Sequence, residues 1–489
     1  MINGGIMSKL YDCIKYYSSN YSDNTSITYR EENIYKSISY RELFNYINNI
    51  SGYLKEYKNK TIAIIGNNKI EYAISLLSII CNIGTAFLID KELEKEDIEK
   101  ILIKKKPELI IIDDDIKITF NNVRVKKFSD IFTNMYKYDE FKYDKNFSGN
   151  LLLHTSGTTG DVKCVFLNEE KYFGVIKELN NKWNVTMNES CLLIIPLYHI
   201  YALTSLLHGL YAGINNILEW DYKRINIVLK ETKPCLFMGV PLMYNKVKDS
   251  IFEKCEKKIK MAIKISNFLL KIKIDIRKYL FKEIHNYFGG NYRFGCSAGS
   301  LLPYETNKFF YDVGLPVYNV YGMTETSGPI AINYKNHNDY KSVGEILEIN
   351  KIRIINKNND GIGSIFVKGK NVFDGYFNDK KQSYFIDGYF DTGDLGYIKN
   401  NYLYVVGRRK NILIGDNGKN ISPEELNSRI LKNNKIHDCN IIMENNRLIA
   451  LVNSELSEDQ LNKYINKINS KLPNYKKIYK IKNTNKKIK

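Results

Sequence analysis

The 489-residue sequence predicts an α/β fold: a large N-terminal domain of parallel α/β sheets with a β-rich subdomain, then a small α+β C-terminal domain. Three observations lead there. Apolar, strand-like runs alternate with helix-period segments through the first half, the rhythm of a parallel sheet flanked by helices. From about Ser342 the texture changes to short alternating strands separated by turn residues such as Asn358-Asn359-Asp360-Gly361. Beyond Gly407-Arg408 mixed α/β patterning returns, which puts a boundary near 408–410 and domains at 1–407 and 408–489.

Residues 40–57 carry helical apolar spacing, 61–65 read as a buried strand, 70–81 as a helix, and 84–89 and 109–112 as further strands. The apolar stretch 73–89 is interrupted by Ser75, Ser78, Asn82, Gly84 and Thr85, so it fits a buried helix followed by a buried strand better than a membrane span. A second set follows, with a strand at 191–195, a helix through 205–211 and a strand at 235–239. Residues 251–281 read as one long basic amphipathic helix, suited to a solvated flank or to a membrane surface. The β-rich part offers strands at 351–355, 363–367 and 402–406.

The formal charge of +18 comes from lysines spread along the whole chain, with no nucleic-acid-binding signature, so no nucleic-acid partner is expected. Such a surface can still steer nucleotides, an acidic carrier protein or anionic lipid. Eight cysteines at irregular positions, without a Cys-x-x-Cys pair, argue against structural zinc and a disulfide framework. They fit a reducing compartment, and the start of the chain lacks a signal-peptide pattern; a cytoplasmic location is expected.

The chemistry concentrates in five segments. Directly after the apolar run Leu151-Leu152-Leu153 stands Thr155-Ser156-Gly157-Thr158-Thr159-Gly160-Asp161-Val162-Lys163. Free backbone N–H groups, hydroxyl donors and one lysine suit a polyphosphate, although the Walker spacing is absent. Pro196-Leu197-Tyr198-His199 follows a strand, Cys296-Ser297-Ala298-Gly299-Ser300 follows strand-like 292–294, and Tyr321-Gly322-Met323-Thr324-Glu325-Thr326 follows 316–320. These lie where open α/β sheets bind ligands, at the ends of strands. Thr392-Gly393-Asp394 then precedes Gly407-Arg408.

In order and spacing these segments resemble the adenylate-forming superfamily of acyl-CoA synthetases, nonribosomal-peptide adenylation domains and luciferases. The likeness runs from Ser39-Tyr40-Arg41-Glu42-Leu43 to Lys487 and is nearest to bacterial long-chain fatty acyl-CoA synthetases, through 278–299 and 407–425. The resemblance implies a two-step reaction. A carboxylate attacks the α-phosphorus of ATP to give acyl-AMP and pyrophosphate, and a thiol of CoA, or of a carrier-protein phosphopantetheine, then displaces AMP.

It also implies roles. Thr155, Ser156, Gly157, Thr158, Thr159, Gly160 and Lys163 would hold the β- and γ-phosphates, Thr324 the α-phosphate, and Glu325 Mg²⁺, a hard cation that favours oxygen ligands. Tyr321 and Gly322 would lie against one face of adenine and Ala298, Gly299 and Ser300 against the other. Asp394 and Arg408 would hold the ribose, although a buried Asp–Arg ion pair is the plainer reading of that pair. His199 would line the carboxylate pocket. Lys410 would be the hinge of a mobile small domain, Gly418 would let pantetheine pass, and Lys487 would be the catalytic lysine, bridging carboxylate and α-phosphate. An uncommitted Glu325 would be a helix N-terminal carboxylate, and an uncommitted Lys487 part of a disordered basic tail.

The sequence departs from that pattern in places. Cys164 replaces a glycine, Asp161-Val162 replaces a proline, and the stretch between 472–476 and Lys487 is short of a segment the family carries. The expected function is therefore an ATP-dependent acid–CoA ligase for a fatty or other apolar acid. Carrier-protein loading and a nucleotide-binding homologue without turnover are the alternatives.

Overall fold

The computed structural model describes residues 9–120, 123–137, 141–155, 163–337, 339–377, 384–411, 413–414, 420–433, 435–444 and 447–484. Ser156, Gly157, Thr158, Thr159 and Gly160 of the hydroxyl-rich loop, together with Gly418 and Lys487, lie outside the described residues. The chain forms two compact units, one of residues 1–351 and 368–388, the other of 352–367 and 389–489.

The first unit contains two sheets. One has six strands in the order Arg124–Lys127, Leu109–Ile112, Thr61–Ile65, Thr85–Ile89, Asn150–Thr155, Lys163–Asn168, all parallel except the last, which returns antiparallel. Its central strands are covered on both faces, which is why they read as unbroken apolar runs: Ala63, Ile65, Phe87, Ile89, Ile110 and Ile112 pack with Ile98 and Ile101 of the helix Lys95–Lys105. The other sheet has a parallel centre running Val317–Met323, Phe294–Ser297, Leu236–Gly239, Ser190–Leu193, Asn215–Leu218, Thr25–Glu31. Gly328–Ile332 joins Val317–Met323 and Ile34–Ser39 joins Thr25–Glu31, both antiparallel.

The helix expected over 40–57 runs Tyr40–Tyr53, then a 3₁₀ turn Lys55–Tyr57. A reciprocal cap starts it: Ser39 Oγ accepts from the Glu42 N–H at 3.2 Å, and Glu42 Oε2 accepts from the Ser39 N–H at 2.7 Å. The helix expected over 70–81 runs Ile70–Ser78 and widens into a π turn, Ile79–Ile83. Gly84 follows it, a position only glycine fits because a Cβ there would lie 2.1 Å from the Lys60 carbonyl oxygen.

Three expected boundaries are corrected. The strand placed at 292–294 is Phe294–Ser297, so Cys296 and Ser297 belong to it. The strand placed at 316–320 is Val317–Met323 and carries Tyr321 and Gly322 within it. The long helix is Pro241–Lys271, started by proline at its first turn, and 251–281 is not one helix, since a separate short helix Arg277–Leu280 follows.

The second unit has the antiparallel neighbours Gly363–Gly369, Tyr389–Lys399 and Tyr402–Arg408. It continues into a three-stranded sheet of Ile436–Glu444, Arg447–Ser454 and Ile478–Asn483 with helices Pro423–Ile430 and Glu458–Asn469. Leu426, Ile430, Ile441, Leu448, Val452, Leu461 and Ile465 form its core, the α+β texture expected after Arg408.

Glu169, the first residue of the helix Glu169–Trp183, is buried and accepts the Leu10 N–H at 3.0 Å; burial pushes its carboxyl up to about 7, with that hydrogen bond opposing. A carboxyl raised on folding gives stability that is full below its unfolded pKa and falls as pH rises through the folded value, so this contribution is lost between about pH 4.5 and 7. The shift corresponds to roughly 3 kcal/mol. Glu169→Gln keeps an acceptor for Leu10 and is expected to flatten the fall in stability between pH 5 and 8, measured by urea unfolding.

Candidate active site

Thr155 and Lys163, the described residues on either side of the hydroxyl-rich segment, face each other across the last register pair of two antiparallel strands. Thr155 Oγ1 donates to the Lys163 carbonyl at 3.5 Å. The Lys163 ammonium donates to the Tyr384 hydroxyl at 2.7 Å and lies 4.3 Å and 4.6 Å from the ring centroids of Tyr384 and Tyr376, which meet edge to face. Two aromatic faces thus hold the cation at the mouth of the loop.

The same tyrosine reaches the acid. Tyr376 O–H donates to Glu325 Oε1 at 2.7 Å, and Glu325 is only 6% exposed. Glu325 sits in a single 3₁₀ turn, Thr324–Thr326, rather than at the start of a long helix. Residues 371–373 fix that turn: Asn371 Nδ2 donates to the Thr326 carbonyl at 2.8 Å, Ser327 Oγ to the Asn371 carbonyl at 2.7 Å, and the Phe373 N–H to the Glu325 carbonyl at 2.8 Å. Gly322 is demanded by the bulge beside it, since a Cβ there would sit 2.1 Å from the Gly328 carbonyl oxygen.

Ser297 pairs with Asn319, so Ala298, Gly299 and Ser300 leave the sheet beside the strand that goes on to Tyr321. Ala298 is buried, Ser300 is exposed, and Gly299 has φ +87° with open space where a Cβ would be. Ser297 Oγ is buried without a hydrogen-bond partner among the described residues. A donor with no protein partner beside an open glycine suits a flat polar ligand.

The carboxyl ends of the two sheets meet at the Pro196–His199 segment. Asn68, beyond the strand Thr61–Ile65, donates to the Ile195 carbonyl and accepts from the Leu197 N–H, both at 2.8 Å. Asp90, beyond Thr85–Ile89, donates its N–H to His154 Nε2 at 2.9 Å, which leaves the neutral ring's proton on Nδ1. Burial holds His154 below the ordinary imidazole range, Asp90 opposes, and His199 adds to the lowering. Burial and then a hydrogen bond with Asp90 push the Tyr198 phenol up. His199 immediately precedes the helix Ile200–Ala212, its side chain making no cap hydrogen bond, and its ring centroid lies 4.5 Å from that of Tyr198; burial lowers its pKa, with Asp90 opposing.

In the second unit Asp394 and Arg408 are register partners on adjacent strands, and Arg408 Nε lies 3.0 Å from Asp394 Oδ1. The carboxylate is buried, while the arginine side chain is 54% exposed and also donates to the Thr392 carbonyl at 3.0 Å. The ion pair expected of this pair is present. Lys410 is exposed in the turn after Arg408.

Sequence reading missed Asn68, Asp90, His154, Tyr376 and Tyr384. Only His154, one residue before the loop motif, carried a positional hint.

The profile of the AMP-binding enzyme family matches residues 15–377. The chain belongs to that family. Among curated relatives, this AMP-binding enzyme is 28% identical over 304 residues to the long-chain-fatty-acid–CoA ligase ACSBG2 of Mus musculus, covering 56% of this chain and 46% of the relative. It is also 28% identical over 303 residues to the long-chain-fatty-acid–CoA ligase FadD15 of Mycobacterium bovis, covering 57% and 50%. The chain thus spans about half the length of the curated relatives it matches. Among solved structures, o-succinylbenzoate CoA synthetase of Bacillus subtilis with its acyl-adenylate intermediate matches at TM-score 0.77 and 20% identity, over 97% of this chain and 94% of that one. The anthranilate CoA ligase AuaEII with anthranoyl-AMP matches at TM-score 0.78 and 15% identity, over 99% and 95%. The adenylate-forming α/β fold expected from the motifs is therefore the fold of this AMP-binding enzyme.

Proposed function

We propose that this AMP-binding enzyme joins a carboxylic acid to AMP at the expense of ATP and passes the acyl group to the thiol of CoA. The acid is a fatty or other apolar one, as in the long-chain relatives' names. The observation that carries this reading is the chain of contacts from Lys163 through Tyr376 to Glu325, which ties the loop lysine to a buried acid. Phosphoryl transfer needs such positioned charge more than covalent help.

The donor set fits nucleotide and metal. Glu325 would hold Mg²⁺, which supplies charge neutralisation on the phosphates. Among the described residues no cluster of three His, Cys, Asp or Glu forms, so phosphate and water oxygens would complete that shell. Thr155, Lys163 and the loop between them would bind the β- and γ-phosphates, and Thr324 the α-phosphate. Tyr321 and Gly322, with 298–300 opposite, would sandwich adenine, and the Asp394–Arg408 pair would accept and donate to the ribose hydroxyls. His199, neutral and set by Tyr198, would shape the acid pocket. Lys487 would neutralise charge where the carboxylate oxygen bonds the α-phosphorus and pyrophosphate departs.

Lys410 would be the hinge between domains 1–407 and 408–489, with Gly418 beside the pantetheine path in the thioester step. The net charge of +18 favours one second reading, in which the acceptor is the phosphopantetheine of an acidic carrier protein in the cytoplasm. ATP–pyrophosphate exchange over a fatty-acid length series tests the first step, and AMP release with CoA against carrier protein tests the second. Exchange that peaks with a long apolar acid is expected. ATP binding without exchange for any acid would leave a nucleotide-binding homologue.

A further inference from the structure

The helix Pro241–Lys271 has a face that the folded chain leaves uncovered. Met261, Ile265, Phe268 and Ile272 are 62%, 50%, 65% and 56% exposed. Their spacing of four, three and four residues keeps them within about 60° of arc on one side of the helix. Ser266, completely buried, marks the opposite, inward side. Past the helix end, Ile274 and Tyr279 are also exposed.

Charge on this segment has one sign. From Lys257 to Ile274 stand Lys257, Lys258, Lys260, Lys264, Lys271 and Lys273, with no Asp or Glu between them. Lys260 pairs with Glu256, and none of the other five has an ion-pair partner among the described residues. By helical rotation Lys257, Lys258 and Lys264 flank the apolar row. No helix of the described residues is long and apolar enough to cross a membrane.

We propose that this face docks on an anionic phospholipid surface, lying in the plane of the interface with Met261, Ile265, Phe268 and Ile272 at the acyl-chain boundary and the lysines among the headgroups. An apolar row bordered by unpaired lysines is the pattern of an interfacial helix. A second copy of the chain fits this face poorly, because a two-fold pairing would bring the same lysines together. An acidic protein would satisfy the lysines and leave the four apolar side chains without a reason to project. The docking surface goes beyond the ligase reading and does not depend on it.

The test is co-sedimentation of the full chain with vesicles of phosphatidylcholine alone and of phosphatidylcholine mixed with phosphatidylglycerol. Binding to the mixed vesicles, weakening as salt is raised, is expected. Ile265→Ser/Phe268→Ser should lower the partition coefficient at least about tenfold. Lys257→Gln/Lys264→Gln should lower it by about fivefold per lysine. All four side chains face water, so circular dichroism and the thermal midpoint should match the parent, and any exchange activity on a soluble acid should be unchanged. The proposal is overturned if the parent ignores the mixed vesicles, if it binds phosphatidylcholine equally well, or if either double variant binds like the parent. It is equally overturned if the parent is a dimer that Ile265→Ser/Phe268→Ser dissociates, or if it binds an acidic carrier protein through this face and no vesicle.

Discussion

Glu325→Gln is expected to slow acid-dependent ATP–pyrophosphate exchange by about two to three orders of magnitude with the fold intact. Glutamine has the shape of glutamate, and its carbonyl oxygen can still accept the Tyr376 hydroxyl that now lies 2.7 Å from Oε1. The backbone anchors from Asn371 and Phe373 do not involve the side chain at all. What disappears is the negative charge that a divalent cation needs. Tyr376→Phe separates charge from position. It keeps a ring beneath Lys163 and removes the hydroxyl that donates to Glu325, a hydrogen bond worth about 1.5–3 kcal/mol when one partner is charged, or roughly 10- to 150-fold. The expected order of rates is therefore parent, Tyr376→Phe, Glu325→Gln, with Glu325→Gln also requiring more Mg²⁺ for half-maximal rate. Full exchange by Glu325→Gln would remove the acid from the mechanism.

The sequence disclosed what local pattern controls. Strands covered on both faces, such as Leu109–Ile112, read as apolar runs because no residue in them meets water. Pairing between distant segments has no local signature, so the parallel match of Ile27 with Asn216 was not readable. The same reason hid Tyr384, which meets Lys163 across 221 residues. Strand ends were misjudged where function sits on them. Cys296 and Ser297, and then Tyr321 and Gly322, looked like loop because they are small or polar, yet they continue strands whose ends carry the motif. Pro241, at the first turn of the helix Pro241–Lys271, is a helix-start signal that the expected span of 251–281 left unused. For Lys487 and Gly418 the family likeness alone supplies a role.

Glu219→Ala is expected to destabilise the first unit by about 3–5 kcal/mol, read as a shift in the urea midpoint. Glu219 follows the strand Asn215–Leu218 and is completely buried. It accepts from Arg30 Nε and a second Arg30 nitrogen, both at 3.1 Å, from the Tyr35 hydroxyl at 2.7 Å, and from the backbone N–H groups of Trp220 and Asp221 at 2.9 Å. Alanine would strand all of these donors at once. Arg30 is the costly one, because its side chain is only 11% exposed and its guanidinium lies 4.1 Å from the centroid of the Trp220 ring. Were Arg30 able to turn outward to water, the loss would shrink to the 1 kcal/mol or so of a surface pair. Arg30→Met/Glu219→Leu decides between these, since it removes the buried cation together with its partner, leaves the Tyr35 hydroxyl and the Trp220 and Asp221 N–H groups without the carboxylate, and should recover only the part of the loss due to Arg30. The damage should also reach the active site, because Asn68 Nδ2, which holds the Ile195 carbonyl, lies 3.4 Å from the Glu219 carbonyl. A rise in KM for the acid in Glu219→Ala, at temperatures where it stays folded, is the expected sign that this buried anion sets the position of the Pro196–His199 segment.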